Sequence, residues 1–314
     1  DRARHRRTGE SRHGGRRLTD GPVPTGLDRS GRVILLFLDG VGLGAPDPAV
    51  NPLVATPLPI LSGLIGAVPD NRARPRTASG LVFRQLDATL GHDGLPQSAT
   101  GQTTILTGLN AADIMDGHYG PWPGPTLVST LESGTLFHDA AVAGGAALAN
   151  VYPPRYFATE GRRRWRPNAP VVAARAAGVR LRGLEEYRAG LAVAPDLVGT
   201  GLARLEEGVA VGIEEAGVTG TAAALASLAS RHAFTFVDVW LTDGYGHARD
   251  AEGAARFLVN LDALLALLLT EGTGAVSSGA TVVITSDHGN LEDLSVKGHT
   301  RNHVPLLVLG PGAR

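Results

Sequence analysis

TVVITSDHGNLEDLSVKGHTRN, Thr281 to Asn302, is the stretch whose reading decides both the fold and the chemistry of this chain. Its first residues, Thr281 to Ile284, are a β-branched apolar run, the pattern of a buried strand. The run stops at adjacent Asp287 and His288 with a glycine behind them, and His299 follows in a glycine-bearing loop. Carboxylate oxygen and neutral imidazole nitrogen offered from one rigid edge suit a divalent metal ion. Asp-His-Gly after a strand is also ordinary turn chemistry, because Asp accepts bonds from nearby backbone N–H groups and Gly supplies positive φ. The two readings part on whether other strands end in the same way.

Two others do. RVILLFL, Arg32 to Leu38, is too short for a core helix and apolar throughout, so it reads as a strand buried on both faces of a parallel sheet. Asp39-Gly40-Val41-Gly42 follows, leaving the Asp39 carboxylate either as a turn cap or at the strand's carboxyl end, the edge at which open α/β sheets bind ligands. FTFVDVWL, Phe234 to Leu241, reads as a third strand and runs into Asp243 and His247. These stand four apart, so one helical turn puts them on the same face.

Between these strands, Leu95 to Asn110 (LPQSATGQTTILTGLN) predicts a helix beginning near Thr100 with Ser98 at its start. A serine there is either an N-cap or a nucleophile, since helix N-termini favour phosphoryl groups. A short helix LSGLIG, a loop or edge-strand region to Leu90, a strand from Ala146 to Val151, a helix from Thr221 to Ser230 and a last strand from Val304 to Leu309 complete the pattern. A long helix, Ala251 to Thr270, carries Leu258, Leu261, Leu265, Leu268 and Leu269 on one side, a core stripe.

With 314 residues and 43% hydrophobic content the chain can bury a full core. A net charge of −1 gives no general attraction to nucleic acid or to an anionic membrane. The absence of cysteine excludes disulfides, thiolate catalysis and Cys-ligated zinc, leaving Asp, Glu, His and hydroxyls as metal ligands. Residues 1–31, rich in Arg and Gly, read as a disordered basic tail. No secretory leader pattern and no run approaching the ~20 apolar residues of a membrane span stand out, so a cytoplasmic location is expected. The catalytic core is expected over 32–154 and 209–314, with 155–208 as a small inserted cap. Within that cap Arg162, Arg163, Arg164 and Arg166 form either a solvated surface or a phosphate-binding run.

Three strands finishing in Asp, two of them with His close by, point to a two-metal site of the kind that stabilises attacking and leaving oxygens in an in-line displacement. The motifs resemble those of the alkaline phosphatase superfamily, in particular the branch of cofactor-independent phosphoglycerate mutase and phosphopentomutase. The pieces are LDGVG (Leu38 to Gly42), SATGQ (Ser98 to Gln102), DGYGH (Asp243 to His247), SDHGN (Ser286 to Asn290) and GHTRN (Gly298 to Asn302).

The resemblance implies an α/β fold, a three-layer α/β/α arrangement about a mostly parallel central sheet. It further implies two divalent ions, Mn or Zn, one held by Asp243, His247 and His299, the other by Asp39, Ser98, Asp287 and His288. In such enzymes the hydroxyl at the Ser98 position becomes the phosphorylated nucleophile, acting on a small phosphorylated substrate. Two departures stand out: Gln102 replaces a His of the mutase pattern, and His303 replaces a Pro. The cap is also short, leaving roughly 50 to 60 residues where the phosphoglycerate mutase has a whole second domain. The expectation is a phosphohydrolase, with a phosphomutase second and a non-catalytic metal-binding module third. One or more of the four arginines is expected to bind a substrate anion; the oligomeric state is left open.

Overall fold

A computed structural model describes residues 31–162, 165–205 and 216–314. Its organising strand is β1 (Arg32–Leu38). The other strands are β2 (Arg76–Ala78), β3 (Leu81–Leu86), β4 (Ala146–Leu148), β5 (Phe234–Val239), β6 (Ala280–Thr285) and β7 (Val304–Leu309). They form one seven-stranded sheet among the described residues, in the order β2-β3-β7-β6-β1-β5-β4. β6, β1, β5 and β4 run parallel; β7, β3 and β2 then alternate in direction to the far edge.

Strand periodicity builds the layers. Ile34, Leu36 and Leu38 of β1 join one buried cluster with Leu225 and Leu228 of the helix Gly217–Arg231 and Phe257, Leu261 and Leu265 of the helix Ala251–Leu269. Leu35 and Phe37 point the other way, into a second cluster with Leu106, Phe137 and Val171, contributed by the helices Ser98–Thr107, Leu136–Ala143 and Ala169–Ala176. Helices therefore cover both faces of a sheet that is parallel at its centre, as expected for a three-layer α/β/α fold.

Several boundaries differ from the sequence reading. The strand expected over Ala146–Val151 stops at Leu148, and Asn150 and Val151 instead make single parallel bridges to Val193 and Arg182. β5 ends at Val239, because the chain turns at Trp240 into the helix Leu241–Ala248. Asp243 thus sits in a helix's first turn and not at a strand end. Leu269 of the expected stripe is only partly buried. Within 155–208, the helix Ala169–Ala176 packs on the sheet face, while Leu184, Tyr187, Ala192, Ala194 and Leu202 gather with Val151 in a separate small cluster. The expected tail over residues 1–31 lies outside the described residues except for Gly31, and Arg163 and Arg164 lie outside them too. No described helix is long and apolar enough to cross a membrane.

Candidate metal centre

Glycines let the elements close on one another at the carboxyl edge of β1, β5 and β6. Gly40 takes a left-handed φ of +69° directly after Asp39, and a Cβ there would lie 2.7 Å from Asp243 Oδ1. Gly101, inside the helix Ser98–Thr107, leaves room for Asp287: a Cβ would stand 2.6 Å from that residue's own Cβ. The helix starts at Ser98, two residues earlier than expected, and Gln97 takes the N-cap position. Ser98 is therefore not the cap. Its Oγ lies 3.0 Å from His288 Nε2.

The structure gathers the expected ligands in two groups whose ligand atoms lie within 4.8 Å of one another, Asp243/His247/His299 and Asp39/Asp287/His288. In the first, the helical turn holds His247 Nε2 3.3 Å from Asp243 Oδ2, and His299 Nε2 approaches Asp243 Oδ1 at 3.7 Å. In the second, His288 Nε2 lies 3.3 Å from Asp39 Oδ1 and 3.6 Å from Asp287 Oδ2. The His288 and His299 rings stack with centroids 3.7 Å apart, so the groups adjoin. His299 Nδ1 bonds the Pro96 carbonyl at 2.7 Å and His288 Nδ1 faces the Gly289 carbonyl at 3.3 Å. Each ring is thereby oriented with Nε2 toward the carboxylates, the usual way a backbone partner sets the ligating nitrogen.

Electrostatically this cluster of like charges is costly. Burial, followed by the neighbouring Asp287, holds Asp39 well above the ordinary carboxylate range, and Asp287 is raised chiefly by burial. Burial alone would lower His288, yet the carboxylates of Asp287 and Asp39 outweigh it and push that ring up to about 10. Burial and the adjacent His288 bring His299 down to about 4. Gln102, the departure from the mutase pattern, donates its amide to Asp39 Oδ2 at 3.1 Å and Asp287 Oδ2 at 3.2 Å. Asp39 Oδ1 is still buried without a hydrogen-bond partner. Crowded carboxylates with an orphaned oxygen, beside imidazoles turned to present Nε2, fit divalent cations, whose charge would offset the repulsion.

A layer of support behind these residues escaped the sequence reading. Glu292 is fully buried. Its Oε2 accepts from the backbone N–H of Gly42 (2.9 Å) and Asn290 (2.8 Å), and its Oε1 from Thr300 Oγ1 and Asn302 Nδ2 (3.0 Å). One carboxylate thus ties the loop after Asp39 to those bearing His288 and His299. Asn290 Nδ2 donates to Asp243 Oδ1 at 2.6 Å. The only sequence signals were glycines at 42, 44 and 289, each of which must leave space for Glu292.

A cleft of about 730 Å³ opens from Asp39, Ser98, Gln102 and Asp243 toward Arg155, Tyr156 and Arg166. Of the four expected arginines, Arg166 lines this cleft, Arg162 is exposed and is not part of its lining, and Arg163 and Arg164 lie outside the described residues.

Residues 208–314 match the family model described as the Metalloenzyme superfamily. This part of the chain is similar to that superfamily. The metalloenzyme region contributes Asp243, His247, Asp287, His288 and His299; Asp39 and Ser98 come from outside the match. Among curated relatives, the phosphopentomutase of Methylobacterium nodulans is 43% identical over 70 residues, 22% of this chain and 16% of that protein. The phosphopentomutase of Erwinia tasmaniensis is 37% identical over 79 residues, 25% of this chain and 18% of that protein. The matched segments thus span less than a fifth of the relatives' length. Among solved structures, an alkaline phosphatase from the Antarctic bacterium TAB5 overlaps with a TM-score of 0.48 at 16% identity, covering 90% of this chain and 92% of that one.

Proposed function

We propose that this metalloenzyme is a phosphohydrolase that transfers the phosphoryl group of a small phosphoester to Ser98 and then to water. The observation that carries the reading is the position of Ser98: a buried hydroxyl at a helix start, 3.0 Å from His288 and lining one cleft with Asp39 and Asp243. Asp243, His247 and His299 would hold one divalent ion, and Asp39, Asp287 and His288, with Ser98, the other. Such ions, Mn or Zn by the mixed oxygen and nitrogen donors, supply positive charge that lowers the serine's pKa and offsets charge on the phosphoryl oxygens.

The chain's own part follows from its geometry. Ser98 Oγ attacks phosphorus and loses its proton, the ester P–O bond breaks, and the leaving alcohol departs with a proton. Water then attacks the phosphoserine, releasing phosphate and restoring the hydroxyl. The positive end of the helix Ser98–Thr107, at which Ser98 stands, would favour the negative charge of the transferred group. Arg166, from the wall of the cleft, would bind a substrate anion.

Protein loaded with Mn or Zn should release phosphate from an aryl phosphate. Ser98→Ala should lower kcat by at least about a thousandfold, as loss of a nucleophile does, and leave no acid-stable phosphoprotein. Full turnover in that variant, or after thorough chelation, would overturn the reading. Truncating Arg166 to Ala should raise KM about tenfold with metal content unchanged, the loss of one charge-assisted hydrogen bond; an unaltered KM assigns it to a solvated face.

The local identity to phosphopentomutases favours one second reading, a phosphomutase in which the phosphoserine returns its group to another oxygen of the same substrate. Incubation with pentose phosphates and phosphoglycerates separates the two, since a mutase yields isomers without net phosphate release.

A further inference from the structure

The wall of the cleft carries a carboxylate that phosphoryl transfer through Ser98 does not use. Asp238 lies on β5, opposite Phe37 of β1, only 2% exposed, and lines the same cleft as Ser98 and Asp39. Its backbone is clamped by Asn150, whose Nδ2 donates to the Asp238 carbonyl and whose Oδ1 accepts from the Asp238 N–H, each at 2.7 Å. Asn168 Nδ2 donates to Asp238 Oδ2 at 2.6 Å, while Asn168 Oδ1 caps the helix Ala169–Ala176 by accepting from Val171 N–H. The residue is therefore held at its backbone and at Oδ2. Its Oδ1 is buried and has no hydrogen-bond partner among the described residues. Burial raises its pKa to about 7.

Above pH ~7, where this carboxylate is ionised, a fixed and buried acceptor without a protein donor is costly alone and selective in a binding site. A ligand that brings the donor removes the penalty, and an analogue without it leaves the penalty in place. Tyr152, Trp122 and Trp240, from the same cleft, would flank such a ligand with apolar surface.

We infer that Asp238 Oδ1 accepts a hydrogen bond from an O–H or N–H group on the leaving portion of the substrate. The substrate class is then phosphoesters of alcohols that carry a second hydroxyl or an amine. This deepens the phosphoryl-transfer reading and rests on it.

The test is equilibrium binding to the metal-loaded protein at about pH 8, where Asp238 is ionised; it needs no turnover. Calorimetry with alkylphosphonates of two to five carbons is compared with their ω-hydroxy and ω-amino counterparts and with inorganic phosphate. At one chain length or more the hydroxy or amino ligand should bind at least about tenfold more tightly than the plain alkyl one; which of the two gains identifies the donor. In Asp238→Asn, which puts an amide N–H where an acceptor stood, that ratio should fall toward one; Asp238→Ser serves if the amide variant does not fold. A flat series with phosphate still bound, or a preference that survives both substitutions, overturns the subsite alone. Failure to bind phosphate and every phosphonate overturns the phosphoryl reading and the subsite with it.

Discussion

Asp238 also gives the protein a pH signature of its own. Burial lifts its folded-state pKa to about 7, against about 3.9 in an unfolded chain. Between those values the folded protein keeps a proton that the unfolded chain has released. The stability it contributes is complete below the unfolded pKa and is lost as pH climbs through about 7, at roughly 1.4 kcal/mol per unit. Asp238→Asn has no such proton to lose. Its melting temperature should therefore gain on the wild type from pH 4.5 to about 7 and level off above that, the metal ligands cancelling in the comparison; parallel curves would show that Asp238 does not titrate in this window. The candidate ligands Asp39, Asp243, Asp287 and His288 were legible in the sequence because each follows closely on an apolar run, His247 from its spacing to Asp243 and His299 from the glycine-bearing loop that follows. Asp238 was not, being one polar residue inside FTFVDVWL, where alternation cannot tell a cleft wall from a solvated face.

At the scale of elements, the loops after β1 and β6 depend on Glu292. Two backbone and two side-chain donors converge on its buried carboxylate. Glu292→Gln would turn an N–H₂ group against two of those donors, leaving buried groups unpaired at a cost on the order of 3 kcal/mol. Urea unfolding should record that loss, and metal affinity should fall as the loops carrying Asp39, His288 and His299 lose their common anchor. A variant with unchanged affinity would show that the ligands position themselves. Glu292 read as one more loop acid in NLED, since its partners are fixed only when distant loops meet. The strands themselves were legible from their apolar runs. Their order was not, because β3 against β7 and β7 against β6 are antiparallel pairings that no periodicity within a strand encodes.

For the whole molecule, the two ligand groups draw on segments from Asp39 to His299, so ion binding reports on the complete fold. An ion that binds only the folded chain stabilises it by about 2.7 kcal/mol at a hundredfold excess over Kd. Adding Mn or Zn to chelated protein should raise Tm by roughly 5 °C. No shift with any divalent ion would remove the metal centre from the account. A parallel sheet buried on both faces was legible from its apolar strands, and the motif resemblance implied the three layers. The extent of the inserted segment was harder to read, since the helix Ala169–Ala176 shares its composition with the core it packs upon.

The place of β1 in the sheet also sets how the chain must fold. Its two partners, β5 and β6, lie roughly 200 and 250 residues further along, so the strand at the heart of the molecule must close two very long loops. During synthesis, at ~5–20 residues per second, this apolar strand waits tens of seconds for the neighbours that will cover its edges. The same contacts that bring Asp39 to Asp287 make early intermediates sticky and refolding from denaturant slow, so that yield will depend on protein concentration more steeply than the stability of the finished sheet would suggest.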